Sequence, residues 1–161
     1  MRTYEIQSQR REEQPTAVAA TTLDVPQIGP WLATAYHSVF SFLTSHGLSP
    51  AGPPFARYHR LGEDRFEIET GFPVGEAIQG EGEIHASSLP GGMFTTTVHV
   101  GPYEAMEPAY EAVASWVEDQ DGERTGDPWE VYFSDPQEEP DPATWRTEIV
   151  QPYRAKPPTL E

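Results

Sequence analysis

Two stretches of the chain carry apolar residues at steps of three and four, and each predicts a helix. In the first, Trp31, Leu32, Ala35, Tyr36, Val39, Phe40 and Leu43 form one stripe. Asp24 to Pro30 reads as a loop before it, Pro30 opens it, and Gly47 is its C-terminal stop. In the second, Tyr103, Met106, Tyr110, Val113 and Val117 form the stripe, and Glu104, Glu107, Glu111 and Glu118 fall between them. Pro102 suits a first helical position, whereas Pro108 has no N–H to donate. The regular part of the Gly101 to Val117 helix is therefore expected to begin near Pro108, after an irregular turn, with Gly122 and Gly126 marking its exit.

Alternating and β-branched runs predict strands around these helices. TYEIQSQ, residues 3–9, reads as an edge strand, and Thr16 to Leu23 as a buried one. SPAGPP, residues 49–54, is a rigid connector after the first helix, followed by strands Phe55 to Arg60 and Arg65 to Phe72 about a turn at Gly62, Glu63 and Asp64. Strands at Glu76 to His85 and Met93 to Val100 precede the second helix, and Trp129 to Phe133 and Thr144 to Val150 follow it.

The same order thus occurs twice, and the residues repeat with it. IGPW at Ile28 to Trp31 matches VGPY at Val100 to Tyr103, and VFSFL at Val39 to Leu43 matches VASWV at Val113 to Val117. PFARY at Pro54 to Tyr58 matches PWEVY at Pro128 to Tyr132, and Glu69 before Pro73 matches Glu148 before Pro152. Four matches in one order indicate two copies of a strand-helix-strand-strand unit. Such copies are expected to pack about an approximate two-fold axis, with a cleft between the helices.

Composition narrows the function. Lys and Arg total 10 against 26 Asp and Glu, a formal charge of −16, which disfavours nucleic acid and anionic membranes and favours cationic partners. Without cysteine there is no disulfide, thiolate metal site or cysteine nucleophile. His37, His46, His59, His85 and His99 show no paired ligand spacing, so neither a metal nor a cofactor is expected. No secretory segment or membrane-length apolar run is present, and the expected location is the cytoplasm. Nucleophile elbow, phosphate loop and dinucleotide motifs are absent; GEGE at Gly80 to Glu83 is too short to be one. The acidic, proline-rich DPQEEPDP at Asp135 to Pro142 reads as a solvated loop between the last two strands.

LPGGMFTTTVHVGPYEAM, AYEAVASWV and DPWEVYFSDPQEEPDPATWRTEIVQPY together resemble the GyrI-like (gyrase-inhibitor-like) small-molecule-binding domain, also found as the effector-binding domain of bacterial multidrug-responsive regulators. The resemblance is strongest from Leu89 to Tyr153. It implies an α+β fold of two pseudo-symmetric βαββ repeats of SHS2 type, an antiparallel sheet and two helices around a central cleft. The whole of 1–161 would be one domain, with repeat one near 1–75, repeat two near 76–154 and a tail at 155–161. In that family one acid on the EVY strand meets lipophilic cations at the floor of the cleft, and the matching residue here is Glu130. By the same resemblance Trp31, Tyr103, Trp129, Tyr132 and Trp145 would supply aromatic walls. Ala56 stands where the second repeat has Glu130, so the acid is on one side only.

Simpler readings apply to the same residues. Alternation sets Glu130 opposite Trp129 and Val131, which on the residues alone suits a solvent-facing glutamate; the resemblance favours a ligand-facing one. Glu69 and Glu148 suit structural pairs with Arg57 or Arg146 as well as a pocket, and Trp116, deep in its helix, suits the core. Three functions follow. The first is a stand-alone binder of lipophilic, often cationic aromatic molecules, since no helix-turn-helix segment precedes the domain. The second is a hydrolase opening cyclopropane rings of DNA-alkylating natural products, with Glu130 and Tyr103 or Trp31 as its catalytic set. The third is a protein inhibitor of DNA gyrase. The binder comes first, because it needs only the acid and the rings.

Overall fold

The computed structural model describes residues 4–134 and 138–156, apart from the Glu104 side chain. The start of the expected TYEIQSQ strand, part of the acidic 135–142 loop and most of the 155–161 tail lie outside the described residues. In chain order the elements are β1 (Gln7–Arg11), β2 (Gln14–Asp24), α1 (Val25–Ser45), β3 (Phe55–Arg60), β4 (Arg65–Pro73), β5 (His85–Leu89) and β6 (Gly92–Val100). A 3-10 turn (Tyr103–Ala105), α2 (Glu107–Asp119), β7 (Gly122–Arg124), β8 (Trp129–Tyr132), a second 3-10 turn (Pro142–Thr144) and β9 (Arg146–Ala155) complete it. The fold is α+β, and the order βαββ occurs twice, as β2-α1-β3-β4 and as β6-α2-β8-β9, the second copy carrying the short β7 between α2 and β8.

The chain forms two compact units, residues 12–91 and residues up to 11 together with those from 92 onward. In the first, antiparallel strands run β3-β4-β2-β5. In the second they run β1-β6-β9-β8, with β7 also on β9. The strand preceding each repeat therefore lies with the other one: β1 pairs with β6, and β5 with β2. Each added strand extends its sheet by a further row of backbone hydrogen bonds.

α1 begins at Val25, so the expected loop at Asp24 to Pro30 is helical from Val25 on, with Asp24 as the extended residue that ends β2 and caps the helix. The Gln27 side chain accepts from the Asp24 N–H at 3.0 Å, and Pro26 sits in the first turn, where a missing N–H costs nothing. Pro30 falls one turn later and removes a single intrahelical bond. At the far end Gly47 takes φ 69° and the Leu48 N–H reaches the Leu43 carbonyl at 2.8 Å, a left-handed termination that glycine allows. α2 starts at Glu107, after the 3-10 turn, which agrees with the reading of Pro108. The expected strand at Glu76 to His85 is displaced. Residues 76–84 are irregular, bridged at Glu81 and Ile84, because Gly82 turns with φ 61° and Gly80 lets the Ile84 carbonyl approach; β5 follows.

Each helix packs the centre of its stripe on its own sheet, whereas Phe40, expected in the first stripe, is exposed on α1, and Tyr103, expected in the second, is exposed in the 3-10 turn before α2. In the first unit Ala35, Val39 and Leu43 meet Ala17, Ala19, Val74 and Ile84, with Trp31 and Phe72 at the margin. In the second, Ala109 and Val113 meet Ile149, flanked by Tyr4, Ile6 and Tyr110. Each fully buried valine, leucine or isoleucine contributes roughly 1.5–3 kcal/mol. Trp116, expected in the core, is half-buried and packs edge-on to Tyr153 at 5.4 Å. β2 and β4 approach so closely that a Cβ on Gly71 would stand 1.9 Å from the Ala17 carbonyl oxygen. Only glycine fits there.

Candidate functional site

β8 is four residues long, Trp129, Glu130, Val131 and Tyr132, and alternation sends its side chains to opposite faces of the sheet. Glu130 pairs with Ile149 of β9, whose side chain belongs to the α2 core, so Glu130 shares the helix-facing side with Tyr132. From above, α2 brings Tyr110. The Tyr110 hydroxyl donates to Glu130 Oε2 in a short hydrogen bond, and the Tyr132 hydroxyl donates to Oε1 at 2.8 Å. Two of the roughly four acceptor positions of a carboxylate are thereby met.

Glu130 is 7% exposed. Burial pushes its carboxyl above the ordinary glutamate range, while the hydroxyls of Tyr110 and Tyr132, which favour the ionised form, oppose the shift without cancelling it. The group is thus costly to ionise where it lies. It gains most from a partner that supplies positive charge.

From Tyr132, which touches the acid, two further rings follow in successive contact. Tyr103 lies 4.8 Å from Trp145 with the planes 32° apart, and 5.7 Å from Tyr132 in an edge-on contact. The GPY turn sets Tyr103 there: Gly101, at φ 136°, donates its N–H to the Trp145 carbonyl at 2.8 Å. That φ belongs to glycine. The Trp145 indole N–H donates to the Glu139 carbonyl at 2.6 Å, fixing the ring at the start of β9. Tyr103 itself is 37% exposed.

Among the residues expected to form the site, Glu130, Tyr103, Tyr132 and Trp145 are thus joined by direct or successive contacts in one unit. Trp129 points to the other face, 2% exposed and edge-on to Phe94 at 5.4 Å. Trp31 lies on α1 in the first unit, packed against its core. Glu69 pairs with Arg57 at 2.9 Å, as one reading of the repeat has it, whereas Glu148 pairs with Arg11 at 3.3 Å rather than with Arg146. On the residues alone Tyr110 is a member of the helical stripe. A tyrosine in a helical stripe needs a partner for its hydroxyl when buried, and the acid on a nearby strand is that partner.

The first repeat shows the site without its acid. Tyr36 on α1 corresponds to Tyr110 and Ala56 on β3 to Glu130; the Tyr36 hydroxyl donates to the Phe55 carbonyl at 3.4 Å. Ala56 is fully buried.

A family model described as the GyrI-like small molecule binding domain matches residues 62–154, more than half of the chain. The chain belongs to the GyrI-like family. No protein of curated function matches it. Among solved structures, this GyrI-like chain is similar to the EcmrR C-terminal domain, at 22% identity and TM-score 0.75, covering 95% of this chain and 99% of that one. It also matches EcmrR in its complex with DNA at 23% identity and TM-score 0.80, covering 95% of this chain but 58% of the EcmrR chain. A hydrolase from Listeria innocua is similar at 12% identity and TM-score 0.70, with 93% and 92% of the two chains covered. SAV2435 bound to tetraphenylphosphonium is similar at 13% identity and TM-score 0.61, with 93% and 94% covered. At these identities the likenesses show the fold. Among the described residues no group of three or more His, Asp or Glu is placed to hold a metal ion, and no helix is long and apolar enough to cross a membrane.

Proposed function

We propose that this GyrI-like domain binds lipophilic, often cationic aromatic compounds in the cytoplasm, with Glu130 as the acid and Tyr103, Tyr132 and Trp145 as the rings. The observation that carries this reading is a buried carboxyl held by two tyrosine hydroxyls, one of which, Tyr132, continues into the contact of Tyr103 with Trp145. A soft organic cation loses less hydration than a metal ion or an ammonium on entering such a site. Each ring face it meets contributes about 0.5–2 kcal/mol where water is excluded. The charge is answered by Glu130, and flat rings accept many flat shapes with little entropy loss. The SAV2435 complex with tetraphenylphosphonium supports the reading through fold alone. The chemistry comes from the residues of this chain. Trp129 is assigned to the core and Trp31 is given no ligand contact.

The test is a fluorescence titration with a panel of flat dyes, cationic and neutral, in the wild type and in Glu130→Gln. Selective binding of the cations that the substitution abolishes supports the assignment; equal affinity for both classes in both proteins overturns it.

A second reading rests on the same carboxyl. Burial holds Glu130 toward its neutral form, and a neutral carboxyl can donate its proton to one carbon as the C–C bond of a strained cyclopropane breaks, while water bonds to the other carbon and gives its surplus proton back to the carboxylate. Turnover of a cyclopropane-bearing alkylator that disappears in Glu130→Gln favours this hydrolase reading. Binding without turnover leaves the binder.

A further inference from the structure

His99 is fully buried on β6 and takes no part in the site as described above. Both of its ring nitrogens are engaged. Nε2 lies 3.0 Å from the Pro102 carbonyl oxygen, and Nδ1 lies 3.0 Å from the Tyr4 hydroxyl. A carbonyl oxygen only accepts, so Nε2 carries the proton. In the neutral imidazole Nδ1 then accepts from Tyr4, which fixes the tautomer. The Tyr4 ring also stacks along the imidazole, with centroids 6.1 Å apart and planes 30° from parallel.

Pro102 is the middle residue of the GPY turn, and its carbonyl also accepts from the Ala105 N–H at 3.2 Å. One oxygen thus ties the turn in two directions: along the chain to the 3-10 turn that begins at Tyr103, and across to β6 through His99. Together with the Gly101 N–H bond to Trp145, this fixes the backbone on both sides of the residue whose ring stands on Trp145 and Tyr132.

We propose that His99 is a positioning residue for the ligand site: through Pro102 it sets the ring of Tyr103, and Tyr4 holds it in the tautomer that does so. This rests on the reading of Tyr103 as a ligand wall, but its first consequence concerns the ligand-free protein. Buried histidines are often only core residues. What separates the two roles is whether removing the Nε2 donor disturbs Tyr103 and Trp145 in particular.

The experiment compares wild type, His99→Gln, whose amide N–H can still reach Pro102, and His99→Leu, which keeps the bulk and loses the donor. Ligand-free protein is measured first, by the indole N–H resonances of its tryptophans in a 15N-correlated spectrum, with Trp145 assigned through Trp145→Phe. The Trp145 resonance is expected to shift or broaden in His99→Leu, to return toward its wild-type position in His99→Gln, and the Trp31 and Trp116 resonances to stay in place. A Trp145 resonance unmoved in His99→Leu overturns the proposal, as does one that moves together with all the others. Titration with tetraphenylphosphonium follows. His99→Leu is expected to bind it about 2- to 30-fold more weakly, the range set by one ring-cation contact, and to have no further effect when Tyr103 is already alanine. Equal losses in the presence and absence of the Tyr103 ring contradict the positioning role. Absence of binding in the wild type counts against the proposed function, while the resonances still decide the role of His99.

Discussion

Tyr110→Phe removes one hydroxyl from a buried carboxyl and leaves the ring in the α2 stripe, so its cost depends on the charge of Glu130. Where Glu130 is neutral, the lost bond is worth about 0.5–1.5 kcal/mol; where it is ionised, about 1.5–3 kcal/mol. Burial raises the folded-state pKa of Glu130 above its unfolded value, so the folded protein binds more protons than the unfolded chain between the two. The stability this group contributes is therefore complete below the unfolded value and is lost as pH rises through the folded one. Tyr110 is one of two partners that restrain the shift, and its loss moves the folded value further up. The stability difference between wild type and Tyr110→Phe should accordingly widen with rising pH, by about 1–2 kcal/mol from end to end. Urea unfolding across a pH series measures it directly, with equal m-values as the check that the folded state is otherwise intact. In a Glu130→Gln background the pH dependence should vanish. A difference that is constant with pH, or larger at low pH, would refute the hydrogen-bonded acid as described.

Two other substitutions test the frame around the site. Gly71→Ala should abolish folding or cost more than about 4 kcal/mol, because the added carbon meets a backbone oxygen of the neighbouring strand that cannot move aside; soluble yield and circular dichroism report it, and a stable protein would contradict the close approach of β2 and β4. Trp129→Phe should lower stability by about 1–3 kcal/mol through lost packing on Phe94, with no hydrogen bond lost, since its indole N–H has no partner among the described residues. Cation affinity should not change, and a selective loss of affinity would return Trp129 to the site.

Much of this was legible in the residues. Helical steps marked both stripes, and Ala35, Val39, Leu43, Val113 and Val117 are buried as those steps require. The matched segments gave the two βαββ copies. Boundaries were less legible where proline and glycine act through context. Pro30 has the look of a helix start although a helix tolerates it one turn in, and the glycines at 80 and 82 displace a strand by making a tight turn. Pairing between distant segments was not legible at all: nothing local to β1 states that it lies on β6, or that Arg11 meets Glu148. The site divides along the same line. Glu130, Tyr103, Tyr132 and Trp145 came from one motif and its family likeness, whereas Tyr110 and His99 act through contacts made only when α2 and the GPY turn close on the sheet.

The most direct measurement is calorimetric titration with tetraphenylphosphonium and with triphenylphosphine oxide, a neutral molecule of similar ring content, in wild type and Glu130→Gln. If Glu130 answers the charge of the ligand, wild type prefers the cation and Glu130→Gln loses about 2–5 kcal/mol of that preference while its affinity for the neutral molecule is kept. A preference for the cation that survives the substitution would contradict the account.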